Sequence, residues 1–317
     1  RMKIIKPKFW DLKKPNILAL LLLPLTTILI INNFFLNLKK KKKFKKIKSI
    51  CVGNIYVGGT GKTPSSIKIY NILKQLNYRV VIGKKFYKNQ LDEITLLKKY
   101  SKVISLNSRS KIIKKAKKNK NQIIIFDDGL QDRELSYDLQ IVCFDTKNLI
   151  GNGNLLPSGP LREKIQSLKK YDCIILKDDI NKAKIFSKKI IKLNKKIRIF
   201  YSYTSIENLN EFKKTKKYLI FSGIGNPDSF KNILKNENLD IVKELVFPDH
   251  HDYKEQEIKN IKDQAKKLKA KIITTEKDFI KLSKKNQKDV GFVKVKINFY
   301  NKKNFIKYLK SKINEKN

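Results

Sequence analysis

Ile47 to Thr63 reads IKSICVGNIYVGGTGKT, and this run decides the fold. Ile47, Ile50, Cys51 and Val52 predict a short buried strand. A glycine-rich turn follows, then Lys62-Thr63. Pro64-Ser65-Ser66 opens a segment in which Ile69, Ile72, Leu73 and Leu76 recur at helical spacing. Strand, glycine turn and helix form the context that a phosphate-binding loop requires. Backbone N–H groups of such a turn, backed by a helix N-terminus, attract an anion. Lys62 would then reach the β- and γ-phosphates, and the Thr63 hydroxyl would ligate Mg²⁺. The strict pattern G-x-x-x-x-G-K-[ST] puts its first glycine at Tyr56; Gly58, Gly59 and Gly61 remain. The plainer reading is a glycine turn that only packs tightly. The strand–helix setting of Gly-Lys-Thr favours nucleotide.

Downstream, Arg79 to Ile82 predicts a second strand, and Gly83 to Ile94 reads as polar and irregular. Gln122 to Phe126 is a run of β-formers that ends in Asp127-Asp128-Gly129. A carboxylate at the C-terminal end of such a strand, beyond a phosphate loop, is placed to hold Mg²⁺ directly or through water. Leu139 to Phe144, Cys173 to Leu176 and Ile197 to Tyr201 continue the strand series. Gly151 to Glu163, GNGNLLPSGPLRE, is too punctuated for helix or strand. Its Arg162-Glu163 is either a surface pair or a cation and a carboxylate near the phosphates. Thr204 to Lys217 reads as a polar linker. A second, smaller series follows, with strands at Tyr218 to Ser222, within Leu239 to Phe247, at Lys271 to Thr275 and at Val290 to Ile297. Its helices are expected at Pro227 to Leu234, Lys254 to Leu268 and Asn304 to Ile313. The fold expected is α/β: a P-loop NTPase-like, mostly parallel sheet flanked by helices over 47–203, a hinge at 204–217, and a smaller α/β domain over 218–317.

Lysine plus arginine number 73 against 28 acids in 317 residues, a formal charge of +45. Such a field favours nucleic acid, anionic lipid or phosphorylated substrates. The excess of lysine over arginine, with abundant Asn and Ile, also fits an AT-rich coding sequence. No aromatic-interleaved basic module is present, so no nucleic-acid partner is expected. Cys51, Cys143 and Cys173 sit in apolar runs without metal spacing and read as buried thiols. In the N-terminal 1–46, Ile17 to Ile31 is an apolar run shorter than the ~20 residues of a spanning helix. A signal peptide fits the basic start but lacks a small-x-small cleavage site, and a buried core helix is a second reading. Phe9, Trp10 and the basic stretch Lys39 to Lys46 favour the third, a helix at an anionic membrane surface, where each such charge contributes roughly 1 kcal/mol. On that reading, deletion of 1–46 leaves the nucleotide site folded.

VGNIYVGGTGKTP, FDDGLQDREL, GNGNLLPSGPLRE, FPDHHDY and TTEKD occur in this order. Together with the N-terminal Phe-Trp and apolar run they resemble the tetraacyldisaccharide 4′-kinases, across nearly the whole chain. The resemblance implies a kinase that uses ATP and Mg²⁺ to phosphorylate the 4′-hydroxyl of an acylated disaccharide 1-phosphate in lipid A biosynthesis, at the cytoplasmic face of the bacterial inner membrane. It places nucleotide binding on Tyr56, Val57, Gly58, Gly59, Thr60, Gly61, Lys62 and Thr63, and metal binding on Thr63, Asp127, Asp128 and Glu163. It pairs His250, of Asp249-His250-His251-Asp252-Tyr253, with an aspartate base. Asp92 takes that role in Leu91-Asp92-Glu93-Ile94, with Glu93 its rival. With Asp92 in the first domain and His250 in the second, the two are expected to meet only on closure about 204–217. Gly83 to Tyr87 is reduced from the family's Ser-Arg-Gly-Tyr-Gly, and Asp132 replaces the usual histidine. The alternative class is a membrane-bound ATPase switch of the ParA/MinD type, whose loop GGTGKT resembles. Those proteins carry a lysine where this chain has Val57.

Overall fold

The computed structural model describes residues 6–36, 41–132 and 134–315. Twelve strands are seen among them: β1 (Lys48–Gly53), β2 (Val80–Lys85), β3 (Val103–Leu106), β4 (Ile123–Asp127), β5 (Leu139–Asp145), β6 (Cys173–Lys177), β7 (Arg198–Ile206), β8 (Lys217–Ser222), β9 (Asp240–Val246), β10 (Lys271–Thr275), β11 (Val290–Val293) and β12 (Val295–Phe299). The helices are α1 (Ile17–Leu21), α2 (Leu23–Leu36), α3 (Lys62–Gln75), α4 (Leu91–Tyr100), α5 (Arg109–Lys118), α6 (Ile180–Leu193), α7 (Pro227–Asn236), α8 (Glu255–Lys267), α9 (Glu276–Phe279), α10 (Lys284–Gln287) and α11 (Lys302–Asn314).

The chain divides into two compact units. The larger comprises Lys6–Phe86, Ser101–Tyr203 and Ile297–Asn317. Its eight-stranded sheet has the order β12-β7-β6-β5-β1-β4-β2-β3, with β7 through β3 all parallel. β1 and β4 read as continuous apolar runs because both faces of a parallel sheet are covered. Ile50, Cys51, Val52, Ile124, Ile125 and Phe126 are all buried. Register sets the site: Val52 lies opposite Asp127, so the turn after β1 and the acid ending β4 emerge side by side. This is the carboxyl edge at which open α/β sheets bind ligands.

The smaller unit comprises Tyr87–Tyr100 and Thr204–Lys296. Its sheet has the order β11-β10-β8-β9, all parallel. Four expectations are corrected here. The stretch read as irregular to Ile94 is in fact the end of β2, a 3-10 turn and α4. Asp92 and Glu93 in the first turn and Lys98 and Lys99 in the last suit the helix dipole, while Ile94 and Leu97 are buried. α4 clusters with 204–296, so Asp92 shares a unit with His250. The run Val290 to Ile297, read as one strand, is two: β11 pairs with β10 and β12 with β7, with Lys294 between them. In addition, β7 runs on to Ile206, into the stretch expected as linker.

The N-terminal apolar run divides into α1 and α2, with Pro24 in the first turn of α2, where its missing N–H is no loss. No helix among the described residues is long and apolar enough to cross a membrane. Of the basic stretch Lys39 to Lys46, Lys39 and Lys40 lie outside the described residues. Lys42 N donates to Glu134 O at 2.7 Å, and Ser136 N to Lys42 O at 3.0 Å. Cys51, Cys143 and Cys173 are free and buried.

Candidate active site

The turn after β1 is held from within by Asn54, which is fully buried. Its Nδ2 donates to the carbonyls of Tyr56 and Gly58, and its Oδ1 accepts from Lys62 Nζ at 3.3 Å. Gly58 and Gly61 have φ of 130° and 83°, a region that a side chain resists. Gly61 is the N-cap of α3 and offers no side-chain cap. The first N–H groups of α3 are therefore open to a ligand, and an anion suits them. The 151–163 loop supports the turn from outside: Val57 N donates to Pro160 O at 2.8 Å, and Arg162 N to Ile55 O at 2.7 Å.

Thr63 Oγ1 donates to Asp127 Oδ2 at 3.0 Å, and Ser66 Oγ to Asp127 Oδ1 at 3.2 Å. Lys84 Nζ, buried on β2, meets Asp127 Oδ2 at 3.0 Å. Asp128 takes Arg162 Nη1 at 3.0 Å and Lys62 Nζ at 3.5 Å. Burial alone would raise its pKa, but Lys62, Arg162, Lys84 and Arg109 outweigh that and hold it well below the usual carboxylate range. Thr63, Asp127 and Asp128 form an all-oxygen set, which suits a hard cation such as Mg²⁺. No group of three or more His, Cys, Asp or Glu among the described residues encloses a metal. Phosphate oxygens and water would complete the shell, as Mg²⁺ commonly requires.

Glu163 is engaged elsewhere: it accepts from Gln131 Nε2 at 2.9 Å and Tyr171 OH at 2.7 Å, and pairs with Lys170 at 2.6 Å. Burial works against its charge, yet these partners leave its pKa lowered. Gln131 also donates to Asn54 O at 2.9 Å and accepts from Arg162 at 3.3 Å. Asp132 ties down the chain after β4 by pairing with Arg109 at 2.8 Å and accepting from the N–H groups of Glu134 and Leu135. Gln131 and Lys84 were missed as site residues. A lysine closing an apolar strand, as Lys84 does, was the available signal.

Tyr56 points away from this cluster. It is 2% exposed, and its hydroxyl bonds to Asp11 and Lys6. Trp10 Nε1 donates to Pro157 O at 3.0 Å, Asn152 N to Trp10 O at 2.9 Å, and Ser158 Oγ to Ala19 O. The N-terminal segment is thus stitched to the loop that supports the turn. Deletion of 1–46, expected to leave the nucleotide site folded, would also remove these contacts to the turn and its supporting loop.

In the smaller unit, His250 Nδ1 lies 2.9 Å from Asp92 Oδ2 and 3.1 Å from Oδ1. No closure is needed for them to meet. Glu93 N also donates to Asp92 Oδ1 at 2.9 Å. Lys277 and Lys281 stand 3.6 and 3.8 Å from Asp92 Oδ2. Burial would raise the Asp92 pKa, but His250 and the two lysines bring it down to about 2. Glu93 Oε1 is 3.7 Å from His250 Nε2. The neighbouring His251 turns the other way, stacking on Phe247 and pairing with Glu257 at 3.1 Å. In TTEKD, Thr275 caps α9, while Asp278 accepts from Gly223 N at 3.0 Å and pairs with Lys281 at 2.7 Å. Lys277 alone of that motif faces both Asp92 and His250.

Comparison with known proteins agrees with the motifs. A family model described as tetraacyldisaccharide-1-P 4′-kinase matches residues 17–314. A tetraacyldisaccharide 4′-kinase of Pelagibacter ubique is 45% identical over 318 residues, covering 100% of both chains. One of Rickettsia bellii is 36% identical over 298 residues, covering 89% of this chain and 90% of its own. The crystal structure of LpxK from Aquifex aeolicus in complex with ATP superposes with a TM-score of 0.69 at 24% identity, covering 94% of this chain and all of that one, and shares the fold. The chain belongs to the tetraacyldisaccharide-1-P 4′-kinase family.

Proposed function

We propose that the chain is an ATP-dependent kinase that phosphorylates the 4′-hydroxyl of a tetraacyldisaccharide 1-phosphate in lipid A biosynthesis. The observation that carries this reading is the part-buried Asp92–His250 pair, in a chain that also has an uncapped phosphate loop. An ATPase switch of the ParA/MinD type needs the loop but has no acceptor hydroxyl to deprotonate. Val57, in place of that type's lysine, points the same way.

Lys62 and the first N–H groups of α3 bind the phosphates. Thr63, Asp127 and Asp128 would hold Mg²⁺, which when bound offsets charge on the transferring group. Arg162 pairs with Asp128 and Lys84 with Asp127, which holds the two carboxylates in place. Glu163 acts on the turn through Gln131. Asp92 accepts the hydroxyl proton and His250 orients it, a contribution on the order of 10²–10⁴ in rate. The lipid acceptor requires a membrane surface. The exposed Ile17, Leu18, Leu20, Leu21, Leu25 and Ile28 suit a helix pair lying in one leaflet, at the cytoplasmic face of the bacterial inner membrane.

The test is direct. The protein is incubated with ATP, Mg²⁺ and tetraacyldisaccharide 1-phosphate, and the lipid is analysed. A bisphosphorylated lipid is expected. ATP hydrolysis without that product would sink the kinase reading in favour of the switch.

A further inference from the structure

His250 has a carboxylate against one ring nitrogen and an ammonium against the other, an arrangement that favours one protonation pattern. Its Nδ1 faces both oxygens of Asp92, at 2.9 and 3.1 Å. An ionised carboxylate only accepts, so Nδ1 must carry a hydrogen. Its Nε2 faces the Lys277 ammonium at 3.4 Å. An ammonium only donates, so this contact is met with a bare Nε2, while Glu93 Oε1 at 3.7 Å and Asp249 Oδ1 at 3.8 Å lie beyond hydrogen-bond reach of the same nitrogen. Lys277 is itself aimed by Asp249 Oδ1 at 3.1 Å, with Glu93 Oε1 at 3.7 Å.

We infer that Lys277 is a positioning residue that holds His250 as the neutral Nδ1–H tautomer, with the Nε2 lone pair directed outward from Asp92. This rests on the kinase reading for its catalytic meaning but not for its geometry. The tautomer decides which end of the pair is basic, because the second ring nitrogen follows from what the first one binds. The groups that set the local field are Asp92 and Glu93 from α4, Asp249 from the 247–254 loop, Lys277 and Asp278 from α9, and Lys281 just beyond it. Lys277 is the cation among them within reach of Nε2. Lys281 instead pairs with Asp278 at 2.7 Å and donates to His251 O.

The chain has two histidines, which makes imidazole ¹⁵N spectroscopy of the full-length protein practicable. A His251→Gln variant assigns the remaining ring. The parent should show His250 protonated at Nδ1 and bare at Nε2. Lys277→Met should give a mixture of tautomers, with turnover down about 10–100-fold and the KM for ATP unchanged, the scale expected of a misplaced catalytic group. Lys277→Arg should restore a single tautomer and most of the rate. An Nε2–H tautomer in the parent, or an unaltered tautomer in a folded Lys277→Met, would overturn the inference. Neither result depends on turnover, so failure of the kinase reading would be seen separately, as absence of lipid product.

Discussion

Asp92 and His250 should behave as a single catalytic unit. Asp92→Ala is expected to lower turnover by on the order of 10²–10⁴ with ATP affinity little changed. His250→Ala acts in the same step, so the double variant should lose much less than the product of the two single losses. Steady-state kinetics with the lipid acceptor would measure this. Full additivity, or an unaffected Asp92→Ala beside an inactive Glu93→Ala, would move the base to Glu93. Lys62→Ala should abolish turnover, since the turn then loses its motif cation. At this scale much was legible: Gly-Lys-Thr, Asp-Asp-Gly and Asp-His each named the residues that the structure sets around two centres. Partnerships between distant residues were legible only through the family resemblance, as for Asp92 and His250, and were otherwise silent. A lysine after an apolar run marks Lys84 as unusual but does not name Asp127 as its partner, and Leu91-Asp92-Glu93-Ile94 taken by itself, without the resemblance, does not point to His250.

The element whose role changes most is the N-terminal helix pair with its leading turn. It reads as an add-on anchor in the sequence, yet Asp11 and Lys6 meet the Tyr56 hydroxyl, and Trp10 and Ala19 bond the 151–163 loop. Deletion of 1–46 should therefore weaken ATP binding as well as membrane attachment. Tyr56→Phe, which removes only the hydroxyl, should weaken ATP binding by less. Calorimetry of ATP binding in detergent would show it. A folded, truncated protein with the parent's ATP affinity would contradict this coupling. Strands were legible where an apolar run ended cleanly, as in β4 and β10. They were not where topology intervened: Val290 to Ile297 is one apolar-patterned run, but the sheets on either side of Lys294 are different ones. α4 was hidden because its capping charges made the stretch look like loop.

For the molecule as a whole, the membrane attachment proposed above would have two separable parts, the formal charge of +45 and the exposed apolar side chains on α1 and α2. Co-sedimentation with anionic vesicles should be strong at low salt and should fall as salt screens the lysines. The fraction that persists should drop in an Ile17→Ser, Leu21→Ser, Ile28→Ser triple variant. Equal high-salt binding by the parent and the triple variant would remove the helix pair from the attachment. The discontinuity of both units has a consequence for synthesis. Asp92 and His250 are 158 residues apart in the chain. At about 5–20 residues per second, the helix that carries Asp92 waits roughly 10–30 s for its partner to be translated. The larger unit waits longer still, because β12 and α11 come after residue 294 and Ile297 lies against Gly61. Among the described residues, the contacts around the turn and the Asp92–His250 pair are therefore both completed late in synthesis, once β12 and the 247–254 loop have been translated.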